Sequence, residues 1–356
     1  MKSGKLNVVF DAFWGSSGKG KVCDWLGLEK GANVFLSSNM PNAGHTVVRG
    51  KNKQVLKCLP SGVPFHEMPR VFLGPGSVFN YERLAEEAVL TKSPIEIHER
   101  AIACTDHHAW LERKGLHHIA STMQGSAEAM IDKLRRTNTS LWDVDGLPGN
   151  VIKVPAAVWR SDVYKQVLSY GNTALFEVSQ GWGLSIDHGT HYPFCTSRNC
   201  SVAQALDQSA LPATAIGDVI AVIRPYPIRV GNTDTGHSGG WAGDNAEVSW
   251  EHVSRNSGHI FDHEQLEKTT VTKRLRRVST FSFELLVDAC AHNGATGIFL
   301  NFAQYVDGSV AGKRGSLSDA PRAVRIFVDA IETATGVPVI AIGTGADTLD
   351  VMEATQ

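Results

Sequence analysis

A glycine- and lysine-rich loop, set between a short apolar run and a segment of helical character, constrains this chain more than any other feature. The apolar run Leu6–Asp11 leads into Gly15-Ser-Ser-Gly-Lys-Gly-Lys21, and a helix is expected from about Lys19 to Leu28. Strand, glycine loop and helix in this order is how α/β proteins build phosphate sites. Backbone N–H groups and the helix N-terminus would bind the anion, with Lys19 or Lys21 adding charge. For the motif taken alone, a flexible Gly/Lys turn is the alternative.

The loop departs from an ordinary P-loop. Its spacing is G-x-x-x-x-G-K, but Val22 stands where P-loop enzymes carry a Ser or Thr hydroxyl that binds magnesium. The loop therefore predicts phosphate binding without the usual P-loop metal ligand.

Short apolar runs recur along the chain and alternate with helical periodicity. The runs that predict further strands are Asn33–Leu36, Val71–Leu73, Ile95–Ile97, Ala174–Val178, Val219–Ile223, Gly297–Leu300 and Val337–Ile342. Helical periodicity is clear at Ala156–Tyr170, Phe283–His292 and Ala320–Thr335. The alternation predicts an α/β fold, related to the P-loop NTPases, with a mainly parallel central sheet flanked by helices. Without a repeat or a clear linker, we expect one domain over residues 1–356 with long active-site loops, one of them at Asn232–Asn245.

Composition excludes several classes of protein. No apolar run approaches the roughly 18 residues that span a bilayer, and no signal peptide precedes the first strand, so no membrane association is expected. A net charge of −2 gives no basis for nucleic-acid binding. Six scattered cysteines without a C-x-x-C pair favour reduced thiols in a cytoplasmic enzyme over disulfides or a zinc site.

Further motifs follow the glycine loop in a fixed order. They are Asn42-Ala-Gly-His-Thr46, Leu59-Pro-Ser-Gly62, Ser121-Thr122, Gln180-Gly181, Ile186-Asp-His-Gly-Thr190, Tyr192-Pro-Phe-Cys-Thr-Ser197, Tyr226-Pro-Ile-Arg-Val-Gly231 and Thr272-Lys-Arg-Leu-Arg-Arg277. Together with the glycine loop, they span most of the chain and resemble the adenylosuccinate synthetases, whose loop reads W-G-D-E-G-K-G-K before N-A-G-H-T.

The resemblance implies a carbon–nitrogen ligase of purine biosynthesis. In that family, the loop aspartate removes the N1 proton of inosine monophosphate, O6 attacks the γ-phosphate of GTP, and L-aspartate displaces the 6-phosphoryl group. By position, His45 is the acid that stabilises charge, Lys19 binds phosphate and Gln180 offers its amide near O6. The Gly44 carbonyl and the loop residue Ser16 are the candidate Mg²⁺ ligands.

Ser16 stands where the family has its catalytic aspartate. Serine is a poor base, and it leaves room for a 2-amino group beside N1, which guanine has and hypoxanthine lacks. A phage subgroup of the family carries this replacement and makes a 2-aminoadenine precursor from dGMP, aspartate and ATP or dATP. We therefore expect dGMP as the acceptor. An ordinary synthetase acting on IMP and an inactive nucleotide-binding homologue are the alternatives.

The remaining binding residues follow from the same resemblance. The expected nucleotide-binding residues are Ser17, Gly18, Gly20, Lys21, Asn42, Ser121, Thr122, Thr196, Val230, Gly343 and Gly345. Arg136 matches an arginine that reaches the nucleotide phosphate of the other subunit, which implies a homodimer; as an isolated residue it would be an exposed helix charge.

The basic run near Thr272 is the expected site of L-aspartate. Thr272, Arg274 and Arg276 alternate along an extended loop, and the matching T-x-R-x-R residues of the family bind the aspartate carboxylates. Without the resemblance, such a run would be a solvated face.

The donor base is the second departure from the family. Asn301-Phe-Ala-Gln304 replaces T-K-L-D, in which the carboxylate accepts hydrogen bonds from guanine. The Gln304 amide offers one donor and one acceptor, as adenine requires. Loss of a buried charged acceptor costs guanine affinity about 1–3 kcal/mol, so the sequence predicts ATP or dATP as the donor.

Overall fold

The strand that precedes the glycine loop lies in the middle of a large sheet. The structure is a computed structural model that describes residues 1–136, 146–259, 267–269 and 273–354. With strands and helices numbered separately in chain order, the main sheet has the spatial order β16 (Gly315–Ser316), β18 (Val351–Glu353), β17 (Val339–Gly343), β15 (Gly297–Leu300), β11 (Ile216–Ile223), β1 (Leu6–Asp11), β10 (Ala174–Glu177), β2 (Val34–Ser37), β5 (Arg70–Leu73), β7 (Ile95–His98) and β9 (Val151–Val154). Every pairing in it is parallel except that of β17 with β18.

Smaller sheets and helices complete the described chain. Hairpin β3 (His45–Arg49) and β4 (Asn52–Leu56), the pair β6 (Val78–Asn80) and β8 (Ile102–Cys104), and the group β12 (Ile228–Arg229), β13 (Glu247–Val248) and β14 (Arg277–Ser279) lie outside the main sheet. The α-helices are α1 (Lys19–Lys30), α2 (Tyr81–Ala88), α3 (Asp106–Gly115), α4 (Ser126–Arg135), α5 (Ala156–Val158), α6 (Tyr164–Leu168), α7 (Val202–Ser209), α8 (Trp250–Ser257), α9 (Phe283–Asn293) and α10 (Arg322–Thr335). A π-helical turn (Trp159–Val163) joins α5 to α6, and short 3₁₀ turns cover Trp182–Leu184, Ala213–Ala215, Ala303–Tyr305, Gly308–Val310 and Leu317–Asp319.

Alternation along β1 explains why the sheet is buried on both faces. Val8 and Phe10 belong to one apolar cluster, with residues of α9 and α10, whereas Val9 belongs to a second cluster, with Val22 and Trp25 of α1. Side chains of a strand point alternately to the two faces, so a strand covered on both faces is apolar throughout. All six residues of β1 are buried.

The α/β prediction is confirmed. Each apolar run expected to form a strand does so, and the three segments with helical periodicity are helical. All six cysteines are unpaired, as expected. Within the described ranges, no helix is both long enough and apolar enough for a membrane crossing.

The topology also places the active-site candidates. In a parallel sheet the carboxyl ends of the strands share one edge, and α/β proteins bind ligands there. Asp11 ends β1, Glu177 ends β10, Arg224 follows β11 and Asn301 follows β15, so four polar residues lie at this edge beside the glycine loop.

Candidate active site

The glycine loop is shaped by the carboxylate that ends β1. Asp11 is fully buried and accepts hydrogen bonds from the backbone N–H groups of Phe13 at 3.0 Å, Gly15 at 3.3 Å and Ser17 at 2.9 Å. These bonds turn the chain sharply back and direct it into α1. Ser16 adopts a left-handed conformation (φ 61°) and is exposed.

Glycine is required where the loop meets other elements. At Gly18 (φ 84°) an added Cβ would lie 2.7 Å from the side-chain nitrogen of Asn301, and at Gly20 it would lie 2.8 Å from the Thr46 carbonyl. Asn301 donates to the carbonyls of Ser17 at 2.8 Å and Gly18 at 3.2 Å. The loop is therefore closely packed against both the N-A-G-H-T motif and the turn that carries the expected donor-base residues.

Lys19 is held beneath the loop. Its ammonium donates to the Gln180 carbonyl at 2.6 Å and lies 3.7 Å from the Asp11 carboxylate. Gln180 takes a left-handed conformation (φ 66°) just after β10, and both residues line the cavity described below. Lys19 thus places a positive charge at the N-terminus of α1, where a phosphate would be bound.

His45 begins β3 and contacts a buried glutamate. Its Nδ1 lies 2.5 Å from Glu177 Oε1, and Glu177 also accepts hydrogen bonds from the backbone N–H and the hydroxyl of Ser61 at 2.8 and 2.9 Å. Burial alone would raise the pKa of Glu177, but the charge of His45 and these hydrogen bonds hold it below its usual range. A carboxylate at Nδ1 orients the ring and stabilises an imidazolium, which suits His45 to act as an acid.

A cavity of about 330 Å³ brings most of the predicted site residues together. Its lining includes Ser16, Gly18, Lys19, Gly20, Asn42, Gly44, His45, Ser121, Thr122, Gln180, Thr196, Val230 and Arg276. Among the described residues, the lining carries the cations of Lys19 and Arg276 and contains no Asp or Glu. The charge of the cavity therefore favours anionic ligands such as phosphates and carboxylates.

Apart from His45 Nδ1, which contacts Glu177, three buried polar side-chain atoms of the lining have no hydrogen-bond partner among the described residues. Asn42 Oδ1, Thr122 Oγ1 and Thr196 Oγ1 are buried and form no hydrogen bond within the part of the chain that the structure describes. Buried polar atoms without hydrogen bonds are costly, and functional sites are where such atoms find a ligand. All three belong to motifs assigned to nucleotide binding from the sequence.

Other predicted nucleotide-binding residues lie outside this lining. The Lys21 ammonium donates to the carbonyls of Gly345 and Asp350, both at 2.7 Å, and burial lowers its pKa to about 8. Ser17 is buried, and its backbone N–H donates to the Asp11 carboxylate. Gly343 is the last residue of β17. Lys21 thus joins α1 to the turn after β17, and direct nucleotide contacts by these residues stay predictions.

The expected donor-base residues follow β15. Phe302 lines the cavity in a left-handed conformation (φ 60°), and Gln304 lies in the 3₁₀ turn after it. Gln304 Oε1 is buried and has no hydrogen-bond partner among the described residues. The amide therefore retains an acceptor for a ligand.

The arginines expected to bind L-aspartate differ in their surroundings. Arg276 lines the cavity, and burial lowers its pKa although Glu267 opposes this. The Arg274 guanidinium donates to the carbonyls of Gly231 at 3.0 Å and Ser121 at 3.1 Å, so it ties two loops of the site together. Thr272 lies outside the described residues.

Arg136 lies away from the cavity. It is exposed at the C-terminal end of α4 with φ 57°, and its role at a second subunit stays a prediction.

Sequence reasoning missed Glu177, Arg224 and Glu267. Arg224 is completely buried, and it binds the Glu267 carboxylate and the Ser16 carbonyl. The signal available for Glu177 and Arg224 was a single charged residue at the end of an apolar strand.

Comparisons with known proteins agree with this geometry. The family model described as adenylosuccinate synthetase matches residues 8–147 and 153–311. The N6-succino-2-amino-2'-deoxyadenylate synthase of Vibrio phage phiVC8 is 35% identical over 85% of this chain and 86% of its own, and that of cyanophage S-2L is 32% identical over 95% and 90%. The adenylosuccinate synthetase of Methanocaldococcus jannaschii is 29% identical over 96% and 94%.

Solved structures show the same fold. The succinoaminodeoxyadenylate synthetase of cyanophage S-2L, bound to dGMP and to dATP as an energy donor, superposes with a TM-score of 0.84 at 31% identity, covering 100% of this chain and 97% of the other. The fully ligated adenylosuccinate synthetase of Plasmodium falciparum gives 0.80 at 18% identity, covering 99% and 100%, and supports the fold. The chain therefore belongs to the adenylosuccinate synthetase family and is a carbon–nitrogen ligase of purine nucleotide biosynthesis.

Proposed function

We propose that this ligase joins L-aspartate to C6 of dGMP with ATP or dATP as the phosphoryl donor. The O6 oxygen of dGMP attacks the γ-phosphorus as the N1 proton is lost, and ADP or dADP leaves. The aspartate amine then attacks C6, loses a proton and displaces phosphate, giving 2-amino-2'-deoxy-N6-succinyladenylate, a precursor of the 2-aminoadenine nucleotide.

The observation that carries the proposal is Ser16 at the loop position where relatives acting on IMP have an aspartate. Ser16 is exposed and belongs to the lining of a cavity whose described lining residues include no Asp or Glu. A short neutral side chain there leaves space for the 2-amino group of guanine. The names of the phage relatives and the ligands of the cyanophage structure support the same acceptor.

The residues of the cavity have distinct roles in this reaction. Lys19 and the N–H groups at the start of α1 bind the donor phosphates, while Thr122 and Thr196 bind the acceptor phosphate through hydroxyls that have no partner within the described ranges. His45, supported by Glu177, hydrogen-bonds O6 and stabilises the charge that develops as the phosphoryl group transfers. Arg276 binds a carboxylate of L-aspartate.

Magnesium fits this site as an ion bound mainly by the substrate. No cluster of three or more His, Cys, Asp or Glu side chains suited to a metal occurs among the described residues. Mg²⁺ commonly binds through substrate phosphates with few protein ligands, and here the Gly44 carbonyl and the Ser16 hydroxyl would supply them. Bound in this way, Mg²⁺ would neutralise charge on the transferring phosphoryl group.

One matrix of incubations tests the proposal. The enzyme is supplied with L-aspartate and Mg²⁺, with IMP, GMP or dGMP as acceptor and ATP, dATP or GTP as donor, and the succinyl adduct is identified by mass. We expect adduct and phosphate release from dGMP with ATP or dATP, and neither without aspartate. Adduct from IMP alone would identify an ordinary adenylosuccinate synthetase, and nucleotide binding without any adduct would identify an inactive homologue.

A further inference from the structure

A buried arginine connects three parts of the active site. Arg224 has no exposed surface and directly follows β11. Its guanidinium donates to the Ser16 carbonyl at 3.0 Å, binds both oxygens of Glu267, and lies over the Phe302 ring with 4.1 Å between Cζ and the ring centroid. One side chain therefore contacts the glycine loop, the turn expected to bind the donor base, and Glu267, which precedes the basic run in the sequence.

The partner of Arg224 extends the connection to the arginine segment, defined here as residues 273–276. The Glu267 carbonyl accepts the backbone N–H of Arg276 at 2.9 Å, and the Glu267 carboxylate accepts the Tyr305 hydroxyl at 3.1 Å. On the other side, Trp250 Nε1 donates to the Arg276 carbonyl at 2.9 Å. The backbone of Arg276, whose side chain lines the cavity, is thus held through Glu267.

Stability alone does not account for this arrangement. A buried ion pair is often no more stabilising than apolar side chains of the same volume, because both charges lose their hydration. The pair gains directional hydrogen bonds, which fix backbone positions. Here the fixed backbone is that of Ser16 and, through Glu267, that of Arg276.

We propose that Arg224 is a positioning residue that holds Ser16 and the arginine segment in one arrangement and so couples binding of the amino acid to binding of the acceptor nucleotide. The proposal rests on the proposed function, because that function assigns Arg276 to L-aspartate. The positioning role of Arg224 does not depend on which purine is the acceptor.

The test compares two Arg224 variants with a stability control, and Arg276→Ala is measured alongside them. Arg224→Gln removes the cation and leaves Glu267 without its ion-pair partner. The double variant Arg224→Gln/Glu267→Gln removes both charges, which restores stability if the single variant folds poorly. Ile331→Val, in the core on α10 and outside the cavity lining, is the control for a modest loss of stability.

Each variant is analysed by thermal melting, by steady-state kinetics, and by acceptor binding with and without L-aspartate. Binding of the acceptor that supports turnover is followed by tryptophan fluorescence without a donor, so no reaction occurs. In the wild type, we expect aspartate to tighten acceptor binding about tenfold, within the usual range of coupling. In both Arg224 variants we expect this factor to approach one and kcat to fall about 10- to 100-fold, as for loss of hydrogen bonds to a charged group.

The double variant decides between positioning and support of the fold. If it recovers its melting temperature while kcat and the coupling stay low, Arg224 positions the site. If kcat and coupling recover with the melting temperature, or if the wild type shows no coupling, the proposal is overturned. Arg276→Ala distinguishes failure of the proposed function from failure of the role of Arg224. An unchanged KM for aspartate in Arg276→Ala rejects the assignment of Arg276 to L-aspartate. A raised KM in Arg276→Ala, together with normal coupling in the Arg224 variants, rejects only the role of Arg224.

Discussion

Replacing Glu177 by glutamine tests whether the carboxylate behind His45 contributes to catalysis. The substitution keeps the volume of the side chain, but it leaves one acceptor oxygen for the two hydrogen bonds from Ser61 and removes the negative charge 2.5 Å from His45 Nδ1. The imidazole would lose the charged acceptor that supports it as a proton donor. We therefore expect kcat to fall while KM for the nucleotides changes little.

The size of the effect follows from the burial of the contact. Glu177 is 1% exposed and His45 is 8% exposed, so solvent screens the charge poorly. A hydrogen bond to a charged group contributes about 1.5–3 kcal/mol. Because each 1.36 kcal/mol is a factor of ten in rate, kcat should fall roughly 10- to 100-fold if the contact is at full strength in the transition state.

The assay uses a buried glutamate elsewhere as its matched control. Glu87 accepts the backbone N–H groups of Lys57, Cys58 and Leu59 at 2.7–3.0 Å and is not part of the cavity lining. Phosphate release and adduct formation are measured for Glu177→Gln and Glu87→Gln at saturating substrates. A kcat for Glu177→Gln equal to that of the wild type, or an equal loss in the Glu87 control, would refute a specific role for Glu177.

Thermal melting across pH provides a second check, because the two pKa values move in opposite directions. The pKa of Glu177 lies below the ordinary value of 4.5: burial acts to raise it, but the charge of His45 and the hydrogen bonds lower it. Its stabilisation is therefore complete above pH 4.5 and is lost as the pH falls through the lower folded value. Burial raises the pKa of Glu87, so its stabilisation is present below 4.5 and is lost as the pH rises through the folded value. The stability deficit of Glu177→Gln should grow with pH, and that of Glu87→Gln should shrink.

Three further substitutions test the specificity and assembly of the site. Ser16→Asp should lower kcat/KM for dGMP relative to IMP, because the carboxylate fills the space for the 2-amino group; an unchanged ratio in a competition assay would contradict this. Gln304→Asp should move donor preference toward GTP about 5- to 150-fold, since a buried charged acceptor contributes about 1–3 kcal/mol, and a continued preference for ATP would reject Gln304 as the base reader. Arg136→Ala should raise KM for the acceptor, and mixing it with inactive His45→Ala should recover activity in heterodimers that contain one native site. Absence of recovery from a verified mixed dimer would place Arg136 outside the partner's site.

The sheet was predictable from the sequence because its strands are buried on both faces. Such strands are continuous apolar runs, and the turn residues between them mark their ends. Helices α3 and α4 were not predicted, since α3 is largely polar and α4 is buried at only a few positions. Hairpin β3–β4 was missed for a related reason, as β4 is mostly exposed and its pattern is not that of a core strand.

The motif residues that line the cavity were predicted through the family resemblance, whereas their supporting contacts were not. Glu177 is 132 positions from His45, and the two meet because β10 lies beside β1 and the hairpin begins near their carboxyl ends. No local sequence pattern predicts that these two residues are neighbours in the fold. Arg274 shows the same limit: the sequence did not predict that its guanidinium donates to the carbonyls of Gly231 and Ser121, and its assignment to a carboxylate of L-aspartate stays a prediction. The partner of a guanidinium depends on where distant loops lie, which the sequence does not specify.

The two departures from the family, at Ser16 and at Phe302–Gln304, lie on parts of the chain that touch each other. Asn301 donates to the loop carbonyls of Ser17 and Gly18, and Arg224 contacts both Ser16 and Phe302. An enzyme that accepts a guanine nucleotide at one site gains from excluding guanine at the other, because otherwise the two ligands would compete for both pockets. A change of base preference at one site therefore favours a complementary change at the other. Because Arg224 contacts both Ser16 and Phe302, the two changed parts of the chain share one neighbouring side chain. Among relatives, acceptor and donor preference should therefore vary together, whereas a single substitution in this enzyme should shift the preference of its own site.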